Sequence, residues 1–100
     1  MDIIKNQQDS TITIVIDEPL KAQNLSELQK LVEELSLGFG TKLIIDCTDM
    51  DYICSSGLRV FLQLSKDAKQ VGASLVVRGL QPLVLNVFQI TGFDKFIAIE

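Results

Sequence analysis

The chain has no histidine and no tryptophan, and it holds only two cysteines, two prolines and a single tyrosine in 100 residues. Without histidine, Ser-His-Asp and Cys-His catalysis are excluded, together with the commonest side-chain ligand of transition metals. Cys47 and Cys54 are too few for the disulfide framework of a small secreted scaffold, so reduced thiols are the expectation. No stretch approaches the ~18 consecutive apolar residues of a spanning helix, and Met1-Asp2-Ile3-Ile4-Lys5-Asn6 has no basic region leading into an apolar one. The expected compartment is the cytoplasm. Positive charge is also in short supply: nine Lys and Arg against thirteen Asp and Glu leave a net charge of −4, which opposes nucleic acid or an anionic membrane as the main partner.

What is present is ordinary globular material, 47% hydrophobic and 22% charged, in a length that suits one domain spanning residues 1–100. Ser10-Thr11-Ile12-Thr13-Ile14-Val15-Ile16 alternates with the period of a strand, and Asp2 to Gln7 could pair with it as an edge strand through a turn at Gln8-Asp9. After Glu18-Pro19, Leu25, Leu28, Leu31, Val32 and Leu35 form the stripe of an amphipathic helix, with Asn24 as N-cap and Gly38 and Gly40 as its end. Lys42-Leu43-Ile44-Ile45-Asp46 is apolar without alternation, as expected of a central strand covered on both faces.

From Ser55 to about Gly72 the period is helical again, with Leu58, Phe61, Leu62, Ser65 and Ala68 on one face and Arg59, Gln63, Lys66 and Lys69 outside. Ser74 to Arg78 reads as a strand, Pro82 opens a third helix running to about Thr91, and Phe96 to Ile99 supplies a last strand. The order β-β-α-β-α-β-α-β predicts an α/β fold, a mixed sheet of four to five strands with helices packed on it. A functional site belongs in loops at the carboxyl ends of the parallel strands.

One such loop, Asp46-Cys47-Thr48-Asp49-Met50-Asp51-Tyr52-Ile53-Cys54, delivers Ser55 and Ser56 to the start of a helix. Unpaired N–H groups and the positive end of the helix dipole favour a phosphoryl group at that point, and Gly57 leaves a Cβ-free space for a close approach. The same residues are also explained if Ser55 or Ser56 simply caps the helix and Gly57 permits a tight turn.

Cys54-Ser55-Ser56-Gly57-Leu58, following Asp49-Met50-Asp51-Tyr52-Ile53, resembles the signature of the STAS domain, and more narrowly that of the bacterial anti-sigma-factor antagonists. The resemblance extends over the hairpin, the leucine-rich helix, the strand ending in Asp46, the Pro82 helix and Thr91-Gly92-Phe93. It implies the STAS fold and a protein without catalysis, cofactor or metal of its own. By the resemblance, Ser55 is phosphorylated by a serine kinase with a histidine-kinase-like ATP site, and this kinase is itself the anti-sigma factor. Unphosphorylated chain would bind the kinase through Cys54, Ser55, Ser56, Gly57, Arg59 and Val60, phosphorylation would end the complex, and a PP2C-type phosphatase would restore it.

Three departures accompany the resemblance. Cys54 stands where the antagonists usually carry Asp, Lys21 stands where an acidic residue is common, and the chain stops at Glu100, which implies a compact version without a further C-terminal helix. A second function in keeping with the resemblance is a constitutive STAS subunit of an ATP-driven lipid transport complex, although those proteins usually carry Thr and Gly where Ser55 and Ser56 stand here.

Competing chemistry is weaker. Cys54 and Arg59 enclose four residues where the cysteine-phosphatase loop needs five, which turns the arginine about 100° away from the required direction. A helix-terminal thiol at Cys54 invites oxidation, and Asp46, Asp49 and Asp51 invite comparison with acceptor or magnesium-binding carboxylates, but an Asp at a strand end commonly caps a turn. Val60, Leu64, Val71, Leu80, Leu83 and Leu85 exceed what one buried face requires; most belong to a core, and the remainder would suit a docking patch.

Overall fold

The alternation near the start of the chain folds as an antiparallel hairpin, β1 (Asp2–Asn6) with β2 (Thr11–Val15), in the computed structural model, which describes residues 1–6 and 9–100. The turn expected at Gln8-Asp9 lies partly outside the described residues. From β2 to β4 each strand is followed by a helix and a parallel neighbour. Helix α1 (Leu25–Glu33) leads to β3 (Lys42–Asp46), α2 (Ser55–Gln70) to β4 (Ser74–Arg78), and α3 (Pro82–Thr91) through the 3-10 turn Phe93–Lys95 to β5 (Ala98–Ile99). The sheet order is β1-β2-β3-β4-β5, which is the mixed α/β arrangement read from the patterning.

All three crossovers step in the same direction across the sheet, so right-handed connections put every helix on one face. Burial agrees. Ile14, Leu43, Ile45, Leu75 and Val77 join Leu28, Leu58, Phe61 and Phe88 in one apolar core, and the Phe61 and Phe88 rings, 6.2 Å apart and inclined at 52°, tie α2 to α3. Burying each of those phenylalanines stabilises the fold by about 1.5–3 kcal/mol. Ile44, buried and flanked in register by Thr13 and Val76, stands outside that core because it points to the opposite face. The expectation of a central strand covered on both faces is therefore corrected in part: helices cover one face only, and the missing alternation reflects an apolar row on the other, where Ile44 is buried between its strand neighbours.

Two element ends also differ from expectation. Helix α1 stops at Glu33, capped at Glu34, well before Gly38. Leu35 and Leu37 still pack against the core, but from an uncoiled segment, so the leucine stripe overstates the helix. The last strand begins at Ala98, because Phe96 closes the 3-10 turn, where it is exposed. No helix among the described residues is long and apolar enough to cross a membrane.

Candidate functional site

The site segment starts where β3 ends. Asp46 accepts hydrogen bonds from the Thr48 hydroxyl at 2.7 Å and the Thr48 N–H at 3.1 Å, and its other oxygen meets Arg78 Nη2 at 3.3 Å. The Thr48 hydroxyl is the main reason its carboxyl is held below the usual range, with the Thr48 N–H and Arg78 adding to it against a smaller opposing effect of burial. Asp46 thus closes a turn, the bland role open to it in the sequence. Among the described residues no cluster of Asp, Glu or Cys could hold a metal ion. Cys47 is fully buried, and burial with the neighbouring Asp46 charge pushes its thiol up to about 12.

Further along, the loop is gripped by a segment remote in sequence. Leu20 N–H donates to Tyr52 O at 2.8 Å, Cys54 N–H donates to Leu20 O at 2.9 Å, and Leu20 and Ile53 form a parallel bridge. Asn24 holds Leu20 in place: its amide donates to Glu18 Oε1 at 2.9 Å and Pro19 O at 2.7 Å, while its Oδ1 accepts from Lys21 N–H at 2.7 Å. Asn24 is the N-cap of α1 by position, as expected, but its side chain ties the loop and makes no cap hydrogen bond. Leu20 was not singled out by sequence reasoning, and Asn24 only as a helix cap, because nothing local to either reveals a bridge to residues 52–54.

This bridge keeps the backbone extended through Cys54 (φ −80°, ψ 164°), and α2 starts one residue later. The N-cap is therefore Cys54, whose Sγ accepts from Gly57 N–H at 3.3 Å. Neither serine caps the helix, which corrects that reading. Ser55 and Ser56 occupy the first two helical positions, both exposed, and neither side chain has a hydrogen-bond partner among the described residues. The first backbone N–H groups of a helix have no intrahelical acceptor, so both hydroxyls stand at the positive end of a 16-residue helix.

The other residues drawn from the motif separate. Arg59 is exposed, one turn beyond Ser55 on the same side of α2. Val60 is half-buried in a groove of about 200 Å³ between α1 and α2, with Val32 and Leu64. Gly57 is buried: a Cβ there would lie 2.8 Å from Leu20 Cδ2 and 3.1 Å from Ile53 Cγ1. Its missing side chain thus admits Leu20 from inside the fold, where the sequence suggested room for a phosphate. Beside the helix start, Tyr52, Leu83 and Val87 line a shallow hollow of about 170 Å³, and Leu83 is 79% exposed. Of the six surplus apolar residues, Leu64 is core, Val60, Leu80 and Leu85 are half-buried, and Val71 and Leu83 are exposed.

An α/β domain with its helices on one face of a mixed sheet and a free serine pair opening the second helix is the class this geometry defines. The chain belongs to the STAS domain family, whose model matches residues 2–100. Among known proteins it is 30% identical over 97 residues to the anti-sigma-B factor antagonist of Listeria monocytogenes, covering 97% of this chain and 85% of that protein. It is 31% identical over 102 residues to the anti-sigma-B factor antagonist of Bacillus subtilis, covering 100% of this chain and 89% of that one. The crystal structure of the protein tm1081 from Thermotoga maritima superposes with a TM-score of 0.84 at 19% identity, over 98% of this chain and 83% of that one, which supports the fold.

Proposed function

We propose that this chain is an anti-sigma-factor antagonist that works by partner switching, with Ser55 as the phosphoacceptor. The observation that carries the reading is the state of that hydroxyl: exposed, at the first position of α2, and without a structural task, since the capping is done by Cys54. A side chain that the fold does not use can be modified without unfolding the domain. The relatives named anti-sigma-B factor antagonists support the antagonist function in this reading.

In this reading the unphosphorylated chain binds an anti-sigma factor that is also a serine kinase with a histidine-kinase-like ATP site, and a PP2C-type phosphatase reverses the modification in the cytoplasm. The docking face comprises Cys54, Ser55, Ser56 and Arg59, with the Tyr52 and Leu83 hollow beside them as apolar anchor. A phosphate at Ser55 adds about −1.5 to −2 charge, which the helix N-terminus and Arg59 one turn away can hold within the chain. The partner then meets a charged, hydrated group where it had met a neutral hydroxyl, and the complex is lost through repulsion and desolvation, without refolding. Phosphopeptide mapping after reaction with the cognate kinase and ATP tests this: phosphate is expected on Ser55 and absent from a Ser55→Ala chain. Phosphate confined to another residue, or none at all, overturns the assignment.

A further inference from the structure

The helix-free face of the sheet has a defined pattern. Strand register places Ile4, Thr13, Ile44, Val76 and Ala98 in one row straight across all five strands. Side chains two residues apart along a strand share a face, so a row on each side of this one points the same way. Toward the amino ends of the parallel strands lie Asn6, Thr11, Lys42 and Ser74; toward their carboxyl ends lie Asp2, Val15, Asp46 and Arg78. The face is thus an apolar band with a basic edge, from Lys42, and an edge that is acidic on balance. Ile4 is 59% exposed and Val76 half-buried, and neither packs on the helix-side core; Ile44 is 7% exposed, buried between its strand neighbours but outside that cluster.

We propose that this face binds a second copy of the chain, sheet against sheet, about a two-fold axis lying along the Ile4 to Ala98 row. Charge complementarity selects that occupant. A two-fold axis in this direction makes the strands of the two copies antiparallel and lays the Lys42 edge of each over the Asp46 edge of the other, while Thr13, Ile44 and Val76 meet their own counterparts. An axis parallel to the strands would set Lys42 against Lys42. Five strands spaced by about 4.8 Å, four of them five residues long and β5 two, give a face whose burial in two copies is of order 1,000 Å² at most, the lower end of specific interfaces, so a reversible dimer of micromolar affinity is expected. The Ser55 end of α2 lies on the helix-bearing side of the sheet and stays free in the dimer, so this inference is independent of the proposed phospho-switch.

Sedimentation velocity of the full chain from low to high micromolar concentration is the test. The expected result is a shift from the 11.1 kDa chain to twice that mass. Ile4→Lys and Lys42→Asp are each expected to weaken the dimer at least tenfold while leaving the far-UV circular dichroism and melting temperature unchanged, Ile4 being on an exposed edge strand. In a Cys54→Ser background, Thr13→Cys is expected to form a covalent dimer on mild oxidation, and Gln63→Cys on the exposed side of α2 is not. A chain that stays monomeric throughout the range, or a dimer indifferent to both Ile4→Lys and Lys42→Asp, overturns the proposal.

Discussion

Replacing Cys54 by aspartate gives the site the residue usual in the antagonists it resembles, and the structure fixes what that does to stability. The native thiol caps α2 through a 3.3 Å contact from Gly57 N–H, and sulfur is a weak acceptor. A good oxygen cap is worth about 1 kcal/mol over alanine, and a carboxylate in this position gains a further ~0.3–1 kcal/mol from the helix dipole. The thiol supplies part of the first contribution and none of the second, so Cys54→Asp should stabilise the chain by about 1 kcal/mol, or about 4–8 °C in melting temperature at this chain length. The sign with pH follows. A carboxylate stabilised at a helix N-terminus has a folded-state pKa below its unfolded value of about 3.9, so the gain is present above that value and is lost as pH falls through the folded one. Thermal melts followed by circular dichroism at neutral and acid pH should rank the chains Cys54→Ala, wild type, Cys54→Ser and Cys54→Asp in rising order at neutral pH. A Cys54→Ala chain as stable as wild type, or a Cys54→Asp chain less stable than Cys54→Ala, would refute the capping argument.

Other consequences are as direct. Gly57→Val should destabilise by about 2 kcal/mol, because its side chain must displace the buried Leu20; a denaturant midpoint equal to wild type contradicts that packing. Asp46→Asn should cost about 1–2 kcal/mol at neutral pH, and because the Asp46 carboxyl is held below its ordinary value, wild type should lose this advantage as pH falls through that lowered pKa, so that the two stability curves converge in acid. In a thiol-reagent assay on the folded chain, half-buried Cys54 should react while Cys47, fully buried with its thiol pushed up to about 12, reacts only after unfolding; equal rates for the two would contradict the burial.

Most of the fold was legible because its signals are local. The Thr and Ile alternation marks β2, Pro82 marks the first turn of α3, and the position of α2 follows from its stripe, with Phe61, Ser65 and Ala68 buried as read. The ends of α1 and β5 were not, because Leu35 and Leu37 are apolar for packing from irregular chain, and Phe96 has strand-like character but stays in solvent. At the site, the serine pair and its helix were found from the sequence, yet the cap was assigned to the wrong residue. Serine is the better intrinsic cap. The register is set elsewhere, by Leu20 bridging Ile53 and accepting from Cys54 N–H, and a contact across more than thirty positions leaves no local trace. The same bridge explains Gly57, whose small size serves Leu20.

In the proposed function, one uncommitted hydroxyl, that of Ser55, governs partner binding. Affinity capture from lysate of the native host, comparing wild type with Ser55→Asp and identifying the bound proteins by mass spectrometry, tests it most directly. A small serine kinase should be recovered by wild type and lost with Ser55→Asp, the variant melting no lower than wild type because Ser55 supports no part of the fold and a carboxylate in the first turn of α2 is favoured by the helix dipole. Recovery of the same partner in equal amount by both chains, or recovery of transporter components by both, would contradict it and reduce Ser55 to an ordinary surface residue.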